Sequence, residues 1–163
     1  MKRYLLQVIL LALFCFASCK NETKTISGPS VTINNLLTEE EKSGAVMTPE
    51  ILWKFNRLGS VSLSPDGSEL LYTVTGIDIQ TEARLTNIFK LSSAGGEPVK
   101  LTPEEGNSPQ WFNNGQSIAF VKGGTLMTMK ADGSELKEVK GLDNFESYRI
   151  SPAGNKIFFT RRV

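Results

Sequence analysis

Few residues of this chain could carry out catalysis. The 163 residues contain no histidine, so a serine nucleophile would have no imidazole to accept its proton. The nearest approach to the Gly-x-Ser-x-Gly turn of serine hydrolases is Gly106-Asn107-Ser108-Pro109-Gln110. It lacks the final glycine, and Pro109 has no N–H to donate to an oxyanion. The sequence therefore predicts no catalytic residue in this chain.

The acidic residues that could act as acids, bases or metal ligands have simpler explanations. Asp66 and Asp132 each precede a glycine, a pattern typical of turns in which the carboxylate bonds the backbone. Glu104-Glu105 follows Pro103 and is interpreted as a solvated turn rather than a catalytic pair. Because histidine and a cluster of thiols are both missing, the sequence predicts no metal site, and no pattern in it indicates a cofactor.

The N-terminus predicts lipid modification of Cys19. Met1-Lys2-Arg3 precedes a mostly apolar stretch, residues 4–16, which is shorter than the roughly 20 residues of a membrane-spanning helix. Residues 1–18 are therefore predicted to be a signal peptide. Phe16-Ala17-Ser18-Cys19 resembles the bacterial lipobox, which implies an acylated Cys19 at the mature N-terminus. The protein would then be lipid-anchored in the bacterial cell envelope, on either the periplasmic or the surface face of the outer membrane. The alternative is ordinary secretion with incidental cysteines.

Charge and composition exclude one class of partner and predict a tether. The chain has 18 basic and 17 acidic residues, so a nucleic-acid partner is not expected. Residues 19–46 are polar and are predicted to be a flexible tether. Leu36-Leu37, Thr38 and the following glutamates could form one helical turn, but the preferred interpretation is a solvated linker.

A short helix is predicted to precede the strands. Thr48-Pro49-Glu50 combines a capping hydroxyl, a proline at the first helical position and an acid in the first turn. Residues 47–59 are predicted to be an amphipathic helix that ends near Gly59 and packs on the strands through one apolar face. That face comprises Ile51, Leu52, Phe55 and Leu58.

A glycine turn occurs three times and predicts the fold. The copies are Leu63-Ser64-Pro65-Asp66-Gly67, Trp111-Phe112-Asn113-Asn114-Gly115 and Ile150-Ser151-Pro152-Ala153-Gly154. Each carries an apolar residue four positions before the glycine and a β-branched or aromatic run after it, the pattern of two strands joined by a tight turn. Trp111 occupies the apolar position, so it is predicted to lie in the core rather than to bind a ligand.

Second hairpins follow the first two copies, around Gly95-Gly96 and Asp132-Gly133. The first hairpins are 48 residues apart and the second 38, which places a ten-residue insertion at 76–85. Four antiparallel strands per repeat are typical of a β-propeller blade. The predicted fold is therefore all-β, with about two and a half blades of an incomplete β-propeller over 60–163. The blades are predicted at 60–103, 108–142 and, in part, 146–163.

Three successive segments carry a family resemblance: Met47 to Trp53, Val61 to Gly67 and Leu70-Leu71-Tyr72. They resemble the opening of secreted bacterial members of the prolyl oligopeptidase (S9) family, in the acylaminoacyl-peptidase and dipeptidyl-peptidase branch. The resemblance implies a serine peptidase whose N-terminal propeller screens peptide substrates and whose C-terminal α/β-hydrolase domain, absent from this chain, carries the triad. The blades also resemble TolB-like propellers, so a binding or scaffold lipoprotein without catalysis is the main alternative. A short tethered product without catalysis is a third.

Overall fold

The computed structural model describes residues 33, 35–44, 46–142 and 144–161. Two short helices, α1 (Glu39–Ser43) and α2 (Pro49–Lys54), precede ten strands in this part of the chain. The strands are β1 (Arg57–Leu63), β2 (Glu69–Ile77), β3 (Arg84–Ser92), β4 (Val99–Lys100), β5 (Asn107–Phe112), β6 (Ser117–Lys122), β7 (Thr125–Lys130), β8 (Lys137–Glu138), β9 (Phe145–Ile150) and β10 (Ile157–Arg161).

The strands form three antiparallel sheets that confirm the predicted all-β propeller class. β1 to β4 pair in sequence order as the first blade, β5 to β8 as the second, and β9 pairs with β10 in a third, two-stranded unit. The first strands of the three units, β1, β5 and β9, are neighbours, as expected of blades arranged around an axis. The sheets do not close into a ring, so the described residues form an incomplete propeller.

The core lies between the sheets because each strand alternates its side chains between two faces. Leu71 and Ile88 point from the first blade toward the second, and both are fully buried. The second blade meets them with Trp111, Ile118, Phe120 and Met129, and Leu101 completes this cluster. A second cluster joins blade two to the third unit through Ala119, Leu126 and Tyr148. Burial of these side chains is the main force that stacks the sheets.

The ten-residue insertion lengthens one hairpin of the first blade. β2 and β3 have nine residues each, whereas their counterparts β6 and β7 have six. The loop between β2 and β3 spans residues 78–83, whereas only Gly123 and Gly124 separate β6 from β7. The hydroxyls of Thr75 and Thr86 share a hydrogen bond of 2.8 Å across the added part. The insertion is therefore an extension of the sheet toward one end.

Helix α2 is shorter than predicted. It ends at Lys54, and Phe55 has an extended conformation with φ −72° and ψ 128°. Leu58 and Gly59, predicted to be helical, lie in β1, where Leu58 pairs with Val74 of β2. Pairing with a neighbouring strand satisfies the backbone groups of Leu58 and prevails over the helical spacing of the apolar residues.

The predicted apolar face of α2 is not buried. Leu52 is 56% exposed and Phe55 is 46% exposed. The guanidinium of Arg57 lies 4.5 Å from the centre of the Trp53 ring, a cation–π contact that covers part of this surface. The helix therefore lies at the surface of the described residues rather than in their core.

The segment before α2 differs from the linker expected between residues 19 and 46. α1 begins with a capping box, in which the Thr38 hydroxyl accepts from the Glu41 N–H and the Glu41 carboxylate accepts from the Thr38 N–H. This reciprocal pair stabilises even a short helix. The predicted signal peptide and Cys19 lie outside the described residues. Neither described helix is long and apolar enough to span a membrane.

Candidate functional site

The first glycine turn is organised around Asp66. Gly67 has a φ of +75°, and its N–H donates to the Ser64 carbonyl at 2.9 Å. Asp66 accepts hydrogen bonds from the Ser64 hydroxyl at 2.6 Å and from the N–H and hydroxyl of Ser68 at 3.1 and 2.8 Å. The aspartate therefore bonds its own turn, as the sequence predicts.

These hydrogen bonds determine the charge of the site. The Ser64 hydroxyl and the Ser68 N–H lower the pKa of Asp66 to about 2, because they stabilise the ionised carboxylate. Glu69, next to the turn, forms an ion pair of 2.8 Å with Lys90. Asp66 is thus ionised at neutral pH and cannot act there as a general acid.

The three glycine turns meet at one end of the stacked sheets. The Asn113 N–H donates to the Gly154 carbonyl at 2.5 Å. A Cβ atom on Gly115 would lie 3.3 Å from the Pro65 ring. A cleft of about 500 Å³ between the first two turns is lined by polar groups that include Asp66, Glu69, Asn114 and Gln116. The cleft can exchange hydrogen bonds with a polar ligand. The Ser64 and Ser68 hydroxyls in its lining bond Asp66, but a carboxylate with so low a pKa is too weak a base to activate them as nucleophiles.

The other acidic candidates are held by local contacts. Glu104 forms an ion pair of 2.6 Å with Lys122, and Glu105 accepts from the Asn107 side-chain amide at 2.9 Å. Asp132 accepts from the Ser134 N–H at 2.8 Å, and hydrogen bonds from Ser134 lower the pKa of Asp132. The two glutamates do not face each other as a catalytic pair in these contacts. Within the described ranges, no group of three or more His, Cys, Asp or Glu residues could hold a metal ion.

Ser108, in the sequence nearest to a nucleophile turn, lies in an irregular part of β5. The pairing of β5 with β6 shifts register between Asn107 and Gln110, and Ser108 has a φ of +51°. Its carbonyl accepts from the Tyr148 hydroxyl, whose single proton is shared with the Ala119 carbonyl at 2.8 Å. Ser108 therefore serves a contact between sheets through its backbone. Burial raises the pKa of Tyr148, so its hydroxyl remains protonated.

Two side chains that join the sheets could not be identified from the sequence. The Gln110 amide donates to the Tyr148 carbonyl at 3.2 Å, and its oxygen accepts from the Ile150 N–H at 3.0 Å. Tyr148 of β9 in turn extends its hydroxyl toward carbonyls of β5 and β6. Their partners lie about 40 residues away along the chain, so no local pattern indicates these roles.

Trp111 confirms the core position that the repeat predicts. It is 6% exposed and packs in the cluster between the first and second blades. Its indole N–H donates to the Ser62 carbonyl of β1 at 3.2 Å. Trp111 thus joins the first two blades through both its packing and its hydrogen bond.

Comparison with known proteins gives relatives among peptidases. No protein-family model matches the chain. Dipeptidyl-peptidase 5 of Porphyromonas endodontalis is 29% identical in an alignment 133 residues long that covers 77% of this chain and 19% of that protein. The chain thus spans about one fifth of the length of that curated relative.

Solved structures share the fold. The β-propeller domain of the trilobed protease from Pyrococcus furiosus aligns with a TM-score of 0.53 and 15% identity over 67% of this chain and 35% of that domain. Acylaminoacyl peptidase from Pyrococcus horikoshii aligns with a TM-score of 0.52 and 17% identity over 60% of this chain and 16% of that protein. The chain is therefore a homologue of dipeptidyl-peptidase 5 with a β-propeller fold, consistent with the resemblance to the prolyl oligopeptidase family.

Proposed function

We propose that these blades belong to a β-propeller that screens peptides on their way to the active site of a secreted dipeptidyl-peptidase. The homology with dipeptidyl-peptidase 5 over 133 residues carries this proposal. The relative is about five times longer than the matched segment, so the catalytic groups are assigned to an α/β-hydrolase domain outside these residues. The contribution of this chain is a barrier and a binding wall rather than the chemical step.

The contacts between the sheets support a rigid barrier. Hydrogen bonds of Trp111 and Gln110 fix β1, β5 and β9 beside one another, in addition to the apolar clusters between the blades. Sliding one sheet past the next would leave buried polar groups without partners, which is costly. A propeller built from such blades would select peptides by the size of its openings, because the sheets do not separate easily.

Native protein tests the peptidase proposal. Antibodies raised against this chain would capture the protein that carries it from its source cells. We expect the captured protein to release dipeptides from dipeptidyl-aminomethylcoumarin substrates and to react with a fluorophosphonate probe, whereas the 163-residue chain alone stays unlabelled. A captured protein that neither reacts nor releases dipeptides would contradict the proposal and favour a binding propeller.

We also propose that Cys19 is acylated and anchors the protein in the bacterial cell envelope. The basic start of the chain, its apolar stretch and the small residues before Cys19 support this. Radioactive palmitate should label the wild-type protein and the Cys15→Ala variant equally. Labelling should disappear in Cys19→Ala, and persistent labelling of that variant would show that another residue carries the lipid.

A further inference from the structure

The segment that precedes α2 is attached to the first blade. We call Ile33 together with residues 35–44 the strap. The Asn35 side-chain amide donates to the Ile77 carbonyl at 3.1 Å. Ile33 lies over Gly76, because a Cβ atom on that glycine would be 3.3 Å from its Cγ2. The start of the strap is thus held at the loop end of β2.

A second attachment holds the end of the strap. Lys54 Nζ donates to both carboxylate oxygens of Glu41 at 2.8 Å. The two side chains are only 30% and 24% exposed, and the Lys54 hydrogen bond is the main cause that lowers the pKa of Glu41. By contrast, the ion pair of Lys42 with Glu39 within α1 is 54% and 89% exposed. Partial burial makes the Lys54–Glu41 pair the stronger attachment.

The strap binds a part of the first blade that the second blade lacks. Aligned on the glycine turns, β6 ends at the residue that corresponds to Val74, so Gly76 and Ile77 belong to the ten-residue insertion. Gly76 is buried, and any side chain there would contact Ile33 or Asn56. The insertion therefore provides a specific place for the strap.

We propose that the strap fastens the lipid anchor to the β2–β3 loop end of the first blade, so that this end faces the lipid surface and the glycine turns face away from it. The inference rests on the proposed acylation of Cys19. Thirteen residues, 20–32, separate Cys19 from Ile33, so covalent geometry limits that separation to about 50 Å. With the strap released, the first attached element is α2 at Pro49, and the limit rises to about 110 Å.

The two ends of the blade are far enough apart to distinguish. A strand of nine residues such as β2 spans roughly 30 Å. The β2–β3 loop contains Gln80, and the turn after β3, which bonds the first glycine turn through the Ser93 N–H and the Ser68 carbonyl, contains Ala94. A fluorophore at Gln80 would therefore lie nearer the membrane than one at Ala94.

Energy transfer to labelled lipids tests the orientation. The full chain, expressed with its leader in a bacterium that acylates lipoproteins, is incorporated into phosphatidylcholine vesicles that contain rhodamine-labelled lipid. Cys15 leaves with the signal peptide and the Cys19 thiol is acylated, so Gln80→Cys or Ala94→Cys supplies the single reactive thiol. We expect transfer efficiency at Gln80 to exceed that at Ala94 by about twofold or more, given the separation of the two ends.

A clasp variant, Asn35→Ala with Glu41→Gln, should reduce the transfer at Gln80 to near the value at Ala94. Glu39→Gln is the matched control, because it removes the exposed pair with Lys42 and leaves both attachments intact. Equal transfer at Gln80 and Ala94 in the wild-type protein, or no change in the clasp variant, would overturn the inference.

Failure of the anchor is recognised separately. Protein that does not enter vesicles would contradict the acylation of Cys19. The attachment of the strap is then decided by trypsin cleavage after Lys42 in the same sample. Cleavage that is about tenfold faster in the clasp variant than in Glu39→Gln supports the attachment, since local opening controls proteolysis. Equal cleavage rates would refute it.

Discussion

Replacing Tyr148 by phenylalanine tests how the third unit is joined to the second blade. Tyr148 is 5% exposed, and its hydroxyl shares its single proton between the carbonyls of Ser108 in β5 and Ala119 in β6. Phenylalanine preserves the ring but removes the donor, so the buried carbonyl of Ala119 loses this hydrogen bond. Leaving a buried acceptor without its partner costs about 1–3 kcal/mol. The third unit should therefore dissociate from the second blade more readily.

Urea unfolding of the full chain, followed by tryptophan fluorescence, measures this cost. With a slope of about 1–3 kcal/mol per molar urea, the midpoint of Tyr148→Phe should fall by roughly 1 M. Tyr72→Phe is the matched control, because Tyr72 stacks on Phe89 at 5.7 Å between ring centres and its hydroxyl has no hydrogen-bond partner among the described residues. An unchanged midpoint in Tyr148→Phe, or an equal loss in Tyr72→Phe, would refute the reasoning.

The same residue has a pH signature. Burial raises the pKa of Tyr148 in the folded protein, so the stability that its neutral form contributes is present below pH 10 or so and is lost as the pH rises further. The Tyr148→Phe variant has no hydroxyl to ionise, so its stability lacks this pH-dependent contribution. The difference in unfolding free energy between the wild-type protein and the variant should shrink above about pH 10, whereas a defect caused only by packing would persist.

Two further changes test the glycine turns. The pKa of Asp66 in the folded protein is about 2, below its ordinary value of 3.8, so the stability that its ionised form contributes is present above pH 4 and lost as the pH falls toward 2. Asp66→Asn should therefore lower the urea midpoint at pH 7 but not at pH 2. A deficit independent of pH would contradict this. Gly154→Ala should lower the thermal midpoint more than Gly67→Ala. Both glycines have positive φ, but a Cβ on Gly154 would lie 3.0 Å from the Asn114 nitrogen whereas Gly67 has open space; the reverse order would exclude contact between the turns.

The architecture could be predicted because its signals are local. The turn residues at Ser64-Pro65-Asp66-Gly67 determine where one strand ends and the next begins, and strand pairing follows from short alternating runs on both sides. The spacing of the repeats predicts the insertion correctly, because the two blades can be aligned on their glycine turns and their lengths compared. The position of Trp111 in the repeat predicts its place in the core, which its burial confirms. Cys19, which lies outside the described residues, stays a prediction.

The errors arose where distant residues decide the outcome. The apolar spacing from Ile51 to Leu58 favours a helix, but pairing of Leu58 with Val74 draws the chain into β1. The polar composition of residues 35–44 favours a linker, but contacts of Asn35 with Ile77 and of Glu41 with Lys54 attach it. Composition reports how much apolar surface a segment can bury, and it does not register a few hydrogen bonds to a surface elsewhere in the chain.

The strap and the insertion are related structurally, because the strap binds residues that the insertion adds to the first blade. The ten added residues lengthen β2 and β3 of the first blade, which follows the N-terminal segment, and they have no counterpart in the second blade. The extension ends in Gly76, whose missing side chain leaves room for Ile33, and in Ile77, whose carbonyl accepts from Asn35. A blade in the middle of a propeller has no preceding tether to hold and does not need this surface. With Cys19 acylated as proposed, the irregularity in the repeat is the place where the anchor would pull on the fold.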